Sequence, residues 1–428
     1  MLKVCKFGGS SLADASRFLR VREIVSGDAA RRVVVVSAAG RRHAGDQKIT
    51  DLLYLCHAHL RYGVSCWELW RRVCDRYLAI RDGCGLKFPV ERELEKIYSA
   101  FGARTEQDWL VSRGEYLAAR LMAELLGFAF VDASEWLLFG YDGSVRQAES
   151  YAKLASLADG RKIVTPGFYG TLPDGRIHTF SRGGSDVTGA LAAAALRADV
   201  YENWTDVPGV LTADPRIVEH PAPIAQLSYA ELGQLSQTGT QVLHESAVEP
   251  VRALQIPLQI RSTLQPELPG TLIQTRPGED SGIAGFAGRR RMALLRVHGK
   301  AEREDEAPQI SSAAVERALA ALGRKPFCLS EALGQVTALL PMEEGRPLHA
   351  AAEALRAQLR PERLELRENL AVLTAVCRST EPIPGVLRAI EDAGVPVHHV
   401  LRAVPSLLMI VNDSQYETAL RAAAAQRQ

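Results

Sequence analysis

Residues 3–7 alternate weakly between apolar and polar side chains and run into Gly8-Gly9-Ser10-Ser11, beyond which residues 12–25 carry apolar positions at helical spacing. This pattern predicts a strand, a glycine turn and a helix. The wholly apolar run 33–36 stops at Ser37-Ala38-Ala39-Gly40, as a strand buried on both faces of a parallel sheet does before its loop. The same grammar recurs at 162–165, 200–204 and 258–260, with helical stretches at 188–197 and 229–236. Strands alternating with helices predict an α/β sandwich around a mainly parallel sheet, and ligands then gather at the carboxyl ends of the strands.

Between 52 and 101 the spacing is helical throughout, with Trp67, Trp70 and Tyr77 near one stripe, which reads as a packed helical subdomain. After Ile273 the composition shifts, and Pro277-Gly278-Glu279-Asp280-Ser281-Gly282 marks a domain boundary. Residues 292–297 and 370–376 look like strands that each open a unit. The second unit continues with a helix at 384–393, strands at 395–401 and 407–411 and a helix to 425. Its β-α-β-β-α order is that of a small ligand-sensing α+β module, and a blurred version of the same order in the first unit suggests a degenerate internal repeat. The expected domains are therefore 1–278, 290–365 and 366–428.

With 428 residues, 47% of them hydrophobic and 24% charged, the chain has apolar material for two or three cores. Its 51 basic and 50 acidic side chains leave a net charge of +1, so no global field draws it to nucleic acid or to an anionic membrane. No run approaches the roughly 18 apolar residues of a membrane span, and the N-terminus lacks a signal-peptide core. Seven cysteines, an odd number without a secretion signal, favour reduced thiols and a cytoplasmic location. There is no Cys-x-x-Cys pair, which disfavours a structural zinc site.

Four short segments carry the candidate chemistry. In Lys6-Phe7-Gly8-Gly9-Ser10-Ser11, glycines free backbone N–H groups to turn toward one point, the helix start adds positive potential and Lys6 adds a full charge; a tight turn with a surface lysine is the alternative. The lysine precedes the glycines, so this is not the phosphate loop of the GxxxxGK[ST] type. Phe180-Ser181-Arg182-Gly183-Gly184-Ser185-Asp186-Val187-Thr188-Gly189 gathers a guanidinium, hydroxyls and a carboxylate before an alanine-rich helix. Arg182 can clamp a carboxylate, and Asp186 can orient a lysine or a magnesium-bound phosphate. Trp204-Thr205-Asp206-Val207-Pro208-Gly209 suits the rim of a nucleotide site or an ordinary turn. In Ser112-Arg113-Gly114-Glu115, Glu115 either receives a substrate ammonium or caps a helix with Ser112.

In this order, KFGGSS, VSAAG, KITDLL, SRGE, PGFYG, FSRGGSDVTGA, ENWTDVPGVLTADPRIV and VLHESAVEPV resemble the aspartate kinase branch of the amino acid kinase family, over residues 1 to about 275. The resemblance implies a three-layer sandwich of the amino acid kinase fold followed by C-terminal ACT-like α+β domains. It implies transfer of the ATP γ-phosphoryl group to the side-chain carboxylate of L-aspartate, a first step toward lysine, threonine, methionine or another aspartate-derived product. Magnesium is expected on the ATP phosphates, with no direct protein ligand. By position, Lys6 resembles the lysine that touches the migrating phosphoryl, with Gly8, Gly9 and Ser10 around it, and Asp186 the acidic organiser. Thr50, Glu115, Phe168, Arg182 and Ser185 fall where the family holds aspartate. Thr205, Asp206, Leu211, Arg216 and Gln241 fall at nucleotide contacts, with Leu211 and Gln241 standing where many members have an aromatic residue and a lysine. The family also implies a homodimer or larger assembly and an amino-acid effector, lysine or threonine, although the first C-terminal unit has Gly299-Lys300-Ala301-Glu302-Arg303-Glu304-Asp305 where a glycine-rich turn is usual.

Overall fold

The computed structural model describes residues 1–181, 183–239, 243, 245–276, 282–299, 310–332, 334–403 and 405–427. Arg182, Gln241, the boundary segment 277–281 and the charged stretch from residue 300 lie outside them. The chain divides into two compact units, the first built from 1–210, 223–232 and 242–278 and the second from 211–222, 233–241 and 279–428.

Strand β1 (Lys3–Phe7) leads through a 3-10 turn (Gly9–Leu12) into helix α1 (Ala15–Ser26), then strand β2 (Arg31–Val36). The helix starts three residues later than its apolar spacing suggests because Asp14 caps it, accepting from the Arg17 amide at 3.0 Å. Four helices follow: α2 (Ile49–Arg61), α3 (Trp67–Cys84), α4 (Val90–Ser99) and α5 (Gln107–Leu126). After β3 (Ala129–Phe130), α6 (Ala133–Trp136), α7 (Gln147–Ala158) and β4 (Ile163–Pro166) comes a hairpin, β5 (Tyr169–Thr171) and β6 (Ile177–Thr179). The rest of the unit is α8 (Gly184–Ala195), β7 (Val200–Thr205), β8 (Gln226–Ser228), α9 (Tyr229–Thr238), α10 (Glu245–Ala253), β9 (Leu258–Ser262) and β10 (Thr271–Gln274).

The eight-stranded sheet runs β3-β4-β2-β1-β7-β9-β10-β8 and is parallel at every neighbouring pair except β9 with β10. Alternation along its central strands sends their side chains to two different layers. Cys5 and Phe7 join a core shared with α1, α2, α3 and α5. Lys6, between them, points to the opposite layer, where α8 packs. Within α3, Trp70 and Tyr77 are buried while Trp67 is 49% exposed. At 3.6 residues per turn Trp67 sits roughly 60° off the stripe defined by the other two, enough to turn it outward.

Beneath the sheet centre lies a fully buried carboxylate. Glu202 on β7 accepts from Arg31 Nε at 2.7 Å, Trp204 Nε1 at 2.9 Å and Lys3 Nζ at 3.1 Å. Burial alone would raise its carboxyl above the usual range, but the Arg31 hydrogen bond and charge, with Lys3, outweigh that and hold it below. β1, β2 and β7 are thus tied together by one anion as well as by their ladders.

In the second unit, β11 (Ile283–His298), α11 (Ser312–Ala321), β12 (Cys328–Ala332), β13 (Gln335–Pro341), α12 (Leu348–Leu359), β14 (Arg363–Cys377), α13 (Ile383–Asp392), β15 (His399–Ala403), β16 (Ser406–Asn412) and α14 (Tyr416–Ala424) form an antiparallel sheet, ordered β12-β13-β11-β14-β16-β15, with its helices. The strand expected from residue 292 begins at Ile283, and its two halves serve different cores. Ile283 and Phe286 pack with α13 and α14, whereas Ala293, Leu295 and Val297 pack with α11 and α12. The ladder between β11 and β14 shifts register between these halves, where Arg291 and Asn369 both adopt φ of 59°. One β-α-β-β-α module is therefore inserted within the other. Residues 211–222 cluster with this unit because Ala213, Ile217 and Val218 join its apolar core. Among the described residues no helix is long and apolar enough to cross a membrane.

Replacing Glu202 by Ala strands Arg31 and Lys3 without their counter-ion, and the first unit is expected to lose about 3–5 kcal/mol. Denaturant unfolding followed by tryptophan fluorescence measures this; a loss below about 1 kcal/mol would mean that the anion is not a keystone.

Candidate active site

The parallel register sets Lys6 on β1 directly beside Asn203 on β7. Both face α8, whose first turn supplies Asp186. Lys6 Nζ meets Asp186 Oδ1 at 2.6 Å, and Asn203 Nδ2 donates to the same oxygen at 2.7 Å. Tyr201, two residues back on the same face of β7, donates its hydroxyl to the Asp186 main-chain oxygen at 3.0 Å. The helix starts at Gly184, four residues earlier than the sequence suggests, so Ser185 and Asp186 belong to its first turn. Gly183 permits that early start with a left-handed φ of 59°.

This pair opens on a cavity of about 740 Å³. Gly8, Gly9 and Ser10 line it from the first turn, Thr205 and Asp206 from the end of β7, and Ser185 from α8. Thr50 lines it from the start of α2, with Phe168 and Glu115 completing the wall. Gly40 is sterically required at the floor, because a Cβ there would lie 2.5 Å from the carbonyl carbon of Gly9. Arg76 on α3 donates to the Gly40 carbonyl at 2.7 Å and pairs with Asp46 at 2.6 Å, so the helical subdomain holds this floor in place. At the hairpin entrance, Gly167 packs so tightly on Ser185 that a Cβ would come within 2.7 Å of its Cβ. The next residue, Phe168, takes a φ of 78°, a strained conformation for a side-chain-bearing residue, and its amide is held by Thr188 Oγ1 at 3.0 Å.

Glu115 lies in the third turn of α5, well inside the helix. Ser112 spends its hydroxyl on the Trp109 carbonyl at 2.7 Å, so the capping alternative fails. The helix starts at Gln107, and Glu115 instead projects to the cavity with only 4% exposure. Burial pushes its carboxyl up to about 8 from an ordinary 4.5, against the pull of the Ala38 amide. Oε2 has no hydrogen-bond partner among the described residues. A buried carboxyl group with an unused oxygen facing a cavity is prepared for a cationic ligand group.

The amino acid kinase family model matches residues 1–262. The chain belongs to the amino acid kinase family. Aspartokinase 3 of Bacillus subtilis is 36% identical over 303 residues, which cover 67% of this chain and 66% of that one. The crystal structure of Clostridium acetobutylicum aspartate kinase aligns over 100% of both chains with a TM-score of 0.87 and 32% identity. Escherichia coli aspartokinase III in complex with aspartate and ADP aligns over 100% of this chain and 99% of that one, with a TM-score of 0.74 and 26% identity. Its complex with lysine and aspartate covers 99% of each chain with a TM-score of 0.73 and 26% identity. Within the amino acid kinase family the chain groups with the aspartokinases, with their parallel-sheet sandwich followed by ACT-like modules.

Not every residue expected at the site lines this cavity among the described residues. Leu211 and Arg216 fall in the segment that folds with the second unit, where Arg216 Nη2 pairs with Asp214 at 2.6 Å. Arg182 and Gln241 are outside the described residues. Conversely, Tyr201 and Asn203, which hold Asp186, carry no role in the sequence pattern, nor do Arg41, Lys48 and Tyr54, which line the cavity. Counting back by twos from Thr205 would have flagged Asn203 and Tyr201 as sharing its face. The Asp186 and Asp206 carboxylates are hard oxygen donors on the cavity wall, a donor set that fits magnesium, which keeps several waters and takes other ligands from phosphates.

Between pH 4.5 and about 8 the folded protein retains a proton on Glu115 that the unfolded chain has released. The stability carried by the neutral carboxyl is therefore complete below that window and lost as pH rises through it. Glu115→Gln, neutral at every pH, is expected to match the unliganded parent near pH 5 and to exceed it by a few kcal/mol at pH 9. Unfolding of both proteins across this range tests it; parallel pH profiles would place the titration elsewhere.

Proposed function

We infer that this chain is an aspartate kinase that transfers the γ-phosphoryl group of ATP to the side-chain carboxylate of L-aspartate, giving 4-phospho-L-aspartate and ADP. The observation that carries the reading is the 2.6 Å Lys6–Asp186 pair opening on the same cavity as the unpartnered Glu115 oxygen. One end of that cavity offers a cation and backbone amides to a phosphate, and the other offers a buried carboxyl group that can ionise against an ammonium group.

The acceptor carboxylate, with a pKa near ~3.9, is already ionised at neutral pH, so no general base has to create the nucleophile. One of its oxygens forms a bond to the γ-phosphorus while the bond from that phosphorus to the β,γ-bridging oxygen breaks. ADP leaves with the electron pair, and no proton is exchanged at the acceptor. The obstacle is the approach of one anion to a polyanion. Lys6 offers its ammonium there, and the Gly9 and Ser10 amides, beyond the Gly8 amide that donates to the Trp204 carbonyl at 3.1 Å, offer dipoles, so positioning and charge supply the acceleration. Magnesium bound to the ATP phosphates supplies further positive charge when present, with Asp186 and Asp206 placed to hold its water shell.

Glu115 takes the substrate ammonium, releasing its own proton to solvent as it does so, and Thr50, Phe168 and Ser185 enclose the rest of the amino acid. Arg182 is assigned to an aspartate carboxylate from its place in the motif. Thr205 and Asp206 take the nucleotide end; Leu211, Arg216 and Gln241 are assigned there by resemblance. The lysine bound to E. coli aspartokinase III supports an amino-acid effector, lysine or threonine, at the ACT-like modules of this chain. Assembly as a homodimer or larger oligomer and a cytoplasmic location belong to the same reading.

ADP release from magnesium-ATP should require aspartate, and hydroxylamine should trap an acyl phosphate; release with another small acid but not aspartate would reassign the substrate. Asp186→Asn is expected to lower kcat at least about tenfold, or ~1.4 kcal/mol, in a folded protein. Near-normal turnover would remove Asp186 from the centre. Arg182→Ala should raise the KM for aspartate, and an effect confined to the KM for ATP would move Arg182 to the nucleotide.

A further inference from the structure

Asp186 Oδ1 is shared by two donors of different kinds, the Lys6 ammonium at 2.6 Å and the Asn203 amide at 2.7 Å. Asn203 is 2% exposed and sits opposite Lys6 in the ladder, so its side chain has little freedom to leave. An ionised carboxylate only accepts, which fixes the amide nitrogen toward it. The backbone of residue 186 is anchored to the same strand, through the Tyr201 hydroxyl to its carbonyl at 3.0 Å. Strand β7 thus holds both the main chain and the side chain of one residue.

We propose that Asn203 is a positioning residue for phosphoryl transfer, holding the Asp186 carboxylate in place while the Lys6 ammonium is drawn toward the phosphoryl group. The proposal rests on the aspartate kinase reading. An arriving triphosphate competes with Asp186 for Lys6, because it carries more negative charge than one carboxylate. Once Lys6 turns, a carboxylate held by that lysine alone would swing about its two side-chain torsions. The Asn203 amide resists this without being pulled away in turn, since a neutral donor is far less attracted to a polyanion than an ammonium group is. Neutrality also leaves the charge of Asp186 uncancelled. The remaining oxygen of Asp186 is then presented in a constant direction through the reaction. Neither a hydrophobic side chain nor a carboxylate at 203 can do this; the first lacks a donor and the second repels.

A mutant cycle on kcat tests the proposal, with Asn203→Ala, Asp186→Ala and the double variant assayed for ADP release at saturating ATP and aspartate. Asn203→Ala is expected to lower kcat about tenfold with both KM values within about twofold, and to have no further effect on kcat once Asp186 is Ala. Asn203→Asp, which keeps the shape, should fall below Asn203→Ala, and Asn203→Thr, which restores a donor, should recover part of the loss. The cycle is read on variants whose unfolding midpoints match the parent; if Ala at 203 fails to fold, the Asp and Thr variants carry the comparison. Equal losses from Asn203→Ala with and without Asp186, losses confined to KM, or an Asp variant as active as the parent would each overturn the proposal. A parent that releases no ADP with aspartate sinks the kinase reading itself, whereas an active parent with additive losses sinks only the role of Asn203.

Discussion

A lysine and an aspartate from distant parts of the chain can share a proton-bridged contact only if the strands and helix that carry them are aligned to within a fraction of an ångström. The 2.6 Å contact between Lys6 and Asp186 sets that condition for the first unit. It requires β1 and β7 to be neighbours in parallel register, α8 to begin at Gly184 and not later, and both glycine turns to stay narrow. Each of these is met by a separate device: the ladder, the left-handed Gly183 and the Gly9–Gly40 approach. Because like charges elsewhere in the cavity repel, the pair also determines where a polyanion can enter and which end an ammonium group must take.

Strand β7 shows how one short segment serves two demands. Its even-numbered side chains, Glu202 and Trp204, join the buried layer that binds Arg31, Lys3 and Cys5. Its odd-numbered ones point the other way: Tyr201 and Asn203 bond Asp186 on α8, and Thr205 lines the cavity. The period of two that places a fully buried ion hub on one side therefore places the polar cradle on the other. The helical subdomain is coupled to this arrangement through Arg76 and through Tyr77, which donates to the Gly114 carbonyl at 2.7 Å. A stripe that looks like simple packing in the sequence is also the support of the cavity floor and of the turn of α5 next to Glu115.

Much of the framework is legible from local signals because those signals have local causes. The wholly apolar run at 33–36 announces a parallel strand buried on both faces, and it is found there, as is the strand expected at 200–204. The glycine turns announce narrow backbone, and Gly9 and Gly184 do lie too close to the Ala38 carbonyl and the Phe168 ring for a Cβ. Less legible are boundaries set by contacts made later. The start of α8 depends on how Gly183 and Phe168 pack, and the start of β11 on a partner strand about 90 residues on. Repeated modules read as consecutive along the chain are nested instead, since a strand of sixteen residues can lend its halves to two cores. The role of Ser112 is obscured in the same way, because a capping pair and a mid-helix pair share one spacing.

The amino-acid sequence by itself determines which chemical groups are available and the periodicity with which strands and helices present them, since both follow from residue type and spacing. From these come the sandwich, the two glycine loops, the acidic and basic residues near them and the resemblance to the aspartate kinases. Only the tertiary structure decides which groups meet. It brings Asn203 to Asp186, seals Glu115 from water so that its carboxyl rises to about 8, and draws residues 211–222 into the second unit. Register, burial and desolvation are properties of surfaces that come into contact after the chain has folded, and no local stretch of sequence contains them.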